Sequence, residues 1–284
     1  LVMRRVFLVD ALPVKGASPR HRTCATLSPM QKFAFLTDLH YGFERRNGHK
    51  VPLHDQRAID AALSFLGDFK PDTLILGGDI LDCGAISHHN HGKPGRTEGL
   101  RLLADADTCS TNFIQPLKAL RPKTVVYITG NHEAWLDDMV EEVPGIEGML
   151  GLEGLLGLPA QWRVLPQGGK FHLGKLTFVH GDQLKGGAAV AKTAVIEAER
   201  SIRFGHFHTF QAYTKTSFVE EKLGRTGIAV PCLCTKDPKY GEGRGNSWVQ
   251  GLNWGYVFPD GTYADYVSII TNGRMVVNGK VYRG

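Results

Sequence analysis

The chain has 284 residues, 42% hydrophobic and 21% charged, the profile of a folded globular protein and one that excludes a disordered or low-complexity chain. Its formal net charge of +5 is compatible with polyanionic ligands, but pairs such as Arg4-Arg5 and Arg45-Arg46 are too short to act as a basic tract. The five cysteines, Cys24, Cys83, Cys109, Cys232 and Cys234, have no repeated spacing, so a disulfide framework or zinc knuckle is not indicated and a reducing compartment fits best.

Residues 1–30 mix Pro13, Gly16, Pro19 and Pro29 without any period and are expected to form an N-terminal arm, with 31–284 as a single domain. The apolar run Val6-Phe7-Leu8-Val9 is broken by Asp10 and Pro13 before it reaches signal-peptide length. No run approaches the length of a membrane span. A cytoplasmic protein without a membrane partner is expected.

From Gln31 a theme recurs: a short apolar run that ends in Asp, Asn or His. Phe33–Leu36 leads to Asp38, Thr73–Leu76 to Asp79, Val125–Ile128 to Asn131, Leu176–Val179 to His180 and Ile202–Phe204 to His206. Such runs suit strands buried on both faces, and polar residues just past their ends are where open α/β sheets hold ligands. Helices are predicted over His54–Phe69, Thr97–Ala119 and Ala188–Ala198. After His208 the pattern turns to strands over Phe210–Thr216, Ile228–Cys232, Trp248–Phe258, Tyr263–Ile270 and Met275–Val281. Hairpin turns are expected at Pro259-Asp260-Gly261 and Thr271-Asn272-Gly273. These late strands are expected to complete a second sheet packed on the first.

Each strand end is unspecific alone. Asp38-Leu39-His40 puts a carboxylate and an imidazole on one side of a locally extended chain, where both can meet one cation; in isolation a polar loop is the better reading. Asp79, after Gly77-Gly78, has two oxygens that can serve two cations at once. Asn131 offers an amide oxygen, or caps a helix, and His132 beside it can face substrate. His180, His206 and His208 add imidazoles at the same edge, and five such segments in this order are hard to attribute to chance.

In order, Asp38-x-His40, Gly78-Asp79-x-x-Asp82, Gly130-Asn131-His132-Glu133, His180-Gly181 and Gly205-His206-x-His208 resemble the signature of the calcineurin-like metallophosphoesterases. The resemblance implies an α/β fold, a sandwich of two β-sheets flanked by helices, with two divalent metal ions (Mn, Fe, Zn or a mixed pair) at the strand ends. It implies one metal on Asp38, His40, Asp79 and His208, and another on Asp79, Asn131, His180 and His206. A hydroxide bridging the metals would be the nucleophile, His132 would stabilise charge or protonate the leaving group, and Asp82 would orient His132.

One departure matters. The family's protein phosphatases carry Arg-Gly directly after the second Asp, where this chain has Cys83-Gly84. That points away from phosphoproteins and toward a phosphodiesterase, with nucleic acid or nucleotides among the candidate substrates; the aromatic C-terminal strands are similar to phage-encoded members. A phosphomonoesterase or nucleotide hydrolase is the alternative, and a non-catalytic scaffold of the same fold a third reading. His88-His89-Asn90-His91 could line the site mouth, although an exposed loop is the more common role. Trp135 could stack on a base, although helix packing is the default for a Trp there.

Overall fold

The computed structural model describes residues 30–216, 224–237 and 246–284. Apart from Met30, the expected N-terminal arm lies outside the described residues, and so does Cys24. In chain order the strands are β1 (Gln31–Leu36), β2 (Phe43–Arg46), β3 (His49–Pro52), β4 (Thr73–Leu76), β5 (Thr124–Ile128), β6 (Arg163–Leu165), β7 (Phe171–Leu173) and β8 (Leu176–Val179). They continue as β9 (Ser201–Phe204), β10 (Gln211–Lys215), β11 (Arg225–Ala229), β12 (Gln250–Val257), β13 (Tyr263–Ile270), β14 (Arg274–Val277) and β15 (Lys280–Arg283). The helices are α1 (Gln56–Phe69), α2 (Pro94–Thr97), α3 (Leu102–Cys109), α4 (Gln115–Leu120), α5 (Asn131–Glu142), α6 (Leu152–Leu156) and α7 (Val190–Ala198).

Two sheets form the centre, in the orders β13-β12-β1-β4-β5-β6 and β10-β11-β9-β8-β7. Within them β1, β4, β5 and β6 run parallel, as do β8, β9 and β11. The alternation of side chains along each strand explains the layering. Phe33, Phe35, Ile75, Val126 and Ile128 meet Leu176, Phe178 and Val230 between the sheets, with Phe33 and Phe178 edge to face at 5.4 Å. Each such buried phenyl contributes about 2 kcal/mol. The opposite residues of the same strands, Ala34, Leu36, Leu74, Leu76 and Tyr127, pack with Ala58, Ile59, Ala62, Phe65 and Leu66 of α1. On the far side Val190, Ala194 and Val195 of α7 cover Ile202, Phe204 and Ala229. The result is the expected two-sheet sandwich with helices on both outer faces.

α1 begins where the Asp55 carboxylate accepts the Arg57 and Ala58 amides at 3.1 and 3.3 Å and ends at Lys70, whose φ of 50° is left-handed, just before Pro71. A buried ion pair joins the sheets: Arg203 of β9 donates to both carboxylate oxygens of Asp265 in β13, at 2.6 and 2.8 Å.

Three expectations are corrected. The late strands do not all join the second sheet: β12 pairs antiparallel with β1, and β13 with β12. β12 is buried on both faces, a requirement that the open edge of β1 satisfies. The helix expected over Thr97–Ala119 begins later, at Leu102, with the separate turn α2 ending at Thr97, and runs unbroken through α3, a π turn over Ser110–Ile114 and α4 to Leu120; Pro116 has no amide to donate, and the wider turn accommodates its ring. The strand expected over Met275–Val281 is the hairpin β14–β15, because Asn278 and Gly279 both take positive φ, as a tight two-residue turn requires.

Candidate metal centre

Because the central strands are parallel, their C-terminal ends share one edge. Asp38 follows β1, Asp79 follows β4, Asn131 follows β5, His180 follows β8, and His206 and His208 follow β9. The local geometry differs from the extended segments expected. Asp38 and His40 have φ of 55° and 50°, and His206 and His208 have 66° and 57°, left-handed values that cost non-glycine residues energy and concentrate at functional sites. β1 and β9 end at Leu36 and Phe204, as expected, and the backbone amides of Asp38 and His40 then donate hydrogen bonds sideways to Gly78 O and Asp79 O at 3.0 and 2.9 Å. His206 and His208 consequently turn to different neighbours.

His208 Nε2 lies 3.3 Å from Asp38 Oδ1 and 3.2 Å from His40 Nε2. His180 Nε2 lies 3.3 Å from Asp79 Oδ2 and 3.0 Å from Asn131 Oδ1, with the His206 ring 5.2 Å away. Two trios of donor atoms, Asp79/His180/His206 and His40/Asp79/His132, are each within 4.8 Å of one another, as is a third, His40/His208/Cys234. Asp79 belongs to the first two.

The donor chemistry fits a divalent cation. The Nδ1 atom of His40 faces Asp82 Oδ1 at 2.9 Å, that of His180 faces Gly77 O at 2.8 Å, and that of His208 faces Cys234 Sγ at 3.6 Å. The carboxylate and the carbonyl accept from Nδ1 and so leave the Nε2 lone pairs of His40 and His180 directed inward, whereas the Cys234 thiol can either donate or accept at His208.

Electrostatics follow from crowding carboxylates and imidazoles together. Burial favours a neutral Asp79, but His180 and His132 outweigh it and hold the carboxyl well below its usual range. Burial opposes an imidazolium at His180, yet Asp79 and then Asp38 push it up to about 10. His132 is likewise opposed by burial and pushed up to about 10 by Asp79 and Asp82. His206 goes the other way, lowered by burial and then by the neighbouring His180.

His132 Nδ1 donates to the Asp82 carbonyl oxygen at 2.7 Å. The Asp82 carboxylate is farther from it, at 3.3 Å, and closer to His40, so Asp82 touches both imidazoles. Glu133, quoted in the motif but given no role there, is a buried clamp. Its carboxylate accepts the amides of Asp79, Ile80, Leu81 and Gly130 and the Tyr127 hydroxyl at 2.6–3.0 Å. The signal was present in sequence, since an acid three residues after a helix cap commonly reaches back to it. Cys234 beside His208 had no such signal. Gly130 is required because a Cβ there would strike Asp79 Oδ1. A cleft of about 620 Å³ bordered by Leu103, Met149 and Leu155 contains none of these residues.

The Calcineurin-like phosphoesterase family model matches residues 31–210, a span that contains every residue of this constellation except Cys234. The chain belongs to that family. It is similar to the Gene 54 proteins of Mycobacterium phages D29 and L5, with 29% and 26% identity over 84 residues, 30% of this chain. The chain spans about a third of the length of these curated relatives, 32% of each. Among solved structures it is similar to Vps29 of Chaetomium thermophilum, at 9% identity and a TM-score of 0.43 over 89% of this chain and 97% of that one. It is also similar to TT1561 of Thermus thermophilus, at 9% identity and a TM-score of 0.35 over 84% and 99%. Family and donor chemistry together support a divalent-metal site at this sheet edge. Among the described residues no helix is long and apolar enough to cross a membrane.

Proposed function

We propose that this calcineurin-like phosphoesterase is a phosphodiesterase that works with two divalent ions, Mn, Fe, Zn or a mixed pair, on nucleotide or nucleic-acid diesters. The observation that carries this reading is the place of Asp79, whose Oδ2 lies 3.8 Å from His40 Nε2 and 3.3 Å from His180 Nε2, one assigned to each ion. Asp38, His40, Asp79 and His208 would hold one ion, and Asp79, Asn131, His180 and His206 the other. Bound there, such a pair supplies Lewis acidity at the phosphoryl oxygens and lowers the pKa of water.

The chain's own part is positioning and proton transfer. With Nδ1 committed to the Asp82 carbonyl, His132 has Nε2 to offer, and Nε2 sits 3.9 Å from Asp79 Oδ2. From there it delivers a proton to the leaving oxygen. Asp82 holds His132 and His40 in register with each other. The diester preference rests on Cys83, which is fully buried in the helix-side core and puts no phosphate-clamping cation where the protein phosphatases carry one. Residues 31–284 are taken as one domain, since β12 and β13 complete the sheet begun by β1. The unpaired thiols of Cys83, Cys109, Cys232 and Cys234 suit the expected cytoplasmic setting.

The test is turnover of bis-p-nitrophenyl phosphate, p-nitrophenyl phosphate and single-stranded DNA with added Mn²⁺. Preference for the diesters is the expected result. Preference for the monoester favours the phosphomonoesterase reading, and no turnover of any of them at saturating metal overturns catalysis in favour of a scaffold.

A further inference from the structure

The histidine-rich segment after the Asp79 loop is exposed, as a loop there would be, but it is held in place by hydrogen bonds that lead back to Asp82. His88–Asn90 forms a 3-10 turn capped by Ser87, itself buried, with its hydroxyl accepting His89 N at 3.3 Å. Asn90 Nδ2 donates to Gly84 O at 3.0 Å, and Gly84 N donates to Asp82 Oδ2 at 3.2 Å, so the turn is tied to the residue that holds His132.

The rings continue the connection. The exposed imidazoles of His88 and His89 are 4.0 Å apart and meet Trp135 edge-on at 5.6 and 5.8 Å. Trp135 in turn lies 4.2 Å from His132. Lys93 Nζ donates to His89 O at 2.9 Å and, among the described residues, has no carboxylate within ion-pair distance. His91 is turned to Glu142 at 3.7 Å and stands apart from this group. Desolvation, and then the charges of His88, His132 and Lys93, hold His89 below its ordinary value, so at neutral pH it offers an N–H donor rather than a charge. Two N–H donors and an ammonium, one ring beyond the proton donor, match the oxygens of a phosphate.

We propose that His88, His89 and Lys93 form a subsite for a second phosphate, so that the substrate carries a phosphate next to the one hydrolysed. This deepens the phosphodiesterase reading and rests on it for the identity of the site, but its test needs no turnover. Two sources share the chemistry: the next diester of a nucleic-acid strand, or a further phosphate of a nucleoside polyphosphate.

The experiment is titration of the Mn²⁺-loaded protein with thymidine 5′-monophosphate, the dinucleotide pTpT and thymidine 5′-diphosphate by calorimetry. In the wild type, a second phosphate tightens binding about tenfold over the monophosphate, equivalent to ~1.4 kcal/mol. In the triple variant His88→Ala, His89→Ala, Lys93→Ala that gain falls to about threefold or less. Lys93→Gln, which leaves the rings on Trp135 in place, loses part of it and guards against misfolding of the triple variant. A gain with pTpT alone identifies a strand, and one with the diphosphate alone a polyphosphate. Equal gain in wild type and variants, or no gain in the wild type, overturns the subsite whether or not diesters are hydrolysed; failure of hydrolysis alone sinks only the catalytic reading.

Discussion

The Glu133 carboxylate accepts the Asp79 amide at 2.9 Å through Oε2, while Oε1 accepts Ile80 N at 2.6 Å and Leu81 N at 3.0 Å. A side chain on α5 therefore fixes the backbone that aims the shared aspartate. Glu133→Gln keeps the size but turns an NH₂ donor toward amide donors, leaving buried groups unpaired. The expected cost is about 2–4 kcal/mol of stability by urea unfolding, with weaker Mn²⁺ binding. Wild-type values for both would show that the clamp is dispensable.

His132→Ala separates a proton donor from a metal ligand, two roles its place beside both His40 and Asp79 allows. On an unactivated diester kcat should fall about 10²–10⁴-fold, and less on bis-p-nitrophenyl phosphate, whose leaving group needs no proton. Metal content by mass spectrometry should be unchanged. Loss of one metal equivalent would reassign His132 as a ligand, and undiminished turnover on the unactivated ester would remove it from catalysis.

Metal binding should be proton-linked. An imidazole holds a cation only when neutral, and Asp79, against burial, pushes His180 up to about 10. Apparent Mn²⁺ affinity should therefore rise with pH across about 6–9 and binding should release protons, seen as a dependence of calorimetric heat on buffer ionisation enthalpy. Chelation should abolish turnover and lower Tm. An affinity independent of pH contradicts the assignment of His180.

Asp105 gives a stability prediction away from the metal ligands. It is 1% exposed, and its Oδ1 lacks a hydrogen-bond partner. Burial, with Lys50 Nζ at 3.8 Å only partly offsetting it and Asp82 adding to it, pushes its pKa up to about 7 from 3.8. The folded state thus binds the proton more tightly than the unfolded one. Its contribution is favourable below about pH 4 and is lost as pH rises toward about 7. Asp105→Asn should flatten that slope and raise stability at about pH 8 by about 2 kcal/mol, measured by unfolding at several pH values. A variant that is less stable under those conditions would show that the carboxylate is satisfied there.

Much of the centre was legible because two regularities coincide. Apolar runs such as Thr73–Leu76 and Leu176–Val179 mark strands buried on both faces, and parallel strands deliver their C-terminal residues to one edge, so Asp38, Asp79, Asn131, His180, His206 and His208 could be placed at that edge, while their assignment as metal ligands came from the resemblance of the ordered motifs to the family. What was not legible was how they get there. Left-handed backbone at Asp38, His40, His206 and His208 has no sequence mark when the residue is not glycine, and Cys234 meets His208 across 26 residues with no periodicity to announce it.

Residue order by itself determined which side chains stand at the strand ends and which faces of each strand are apolar, because both follow from short-range chain geometry. Only the tertiary structure decided that β12 pairs with β1 rather than extending the second sheet, that Arg203 and Asp265 bind across the sandwich, and that the histidines after Ser87 come within a ring of His132. Those outcomes depend on which distant surfaces can bury one another, a competition between long-range partners that no local pattern encodes.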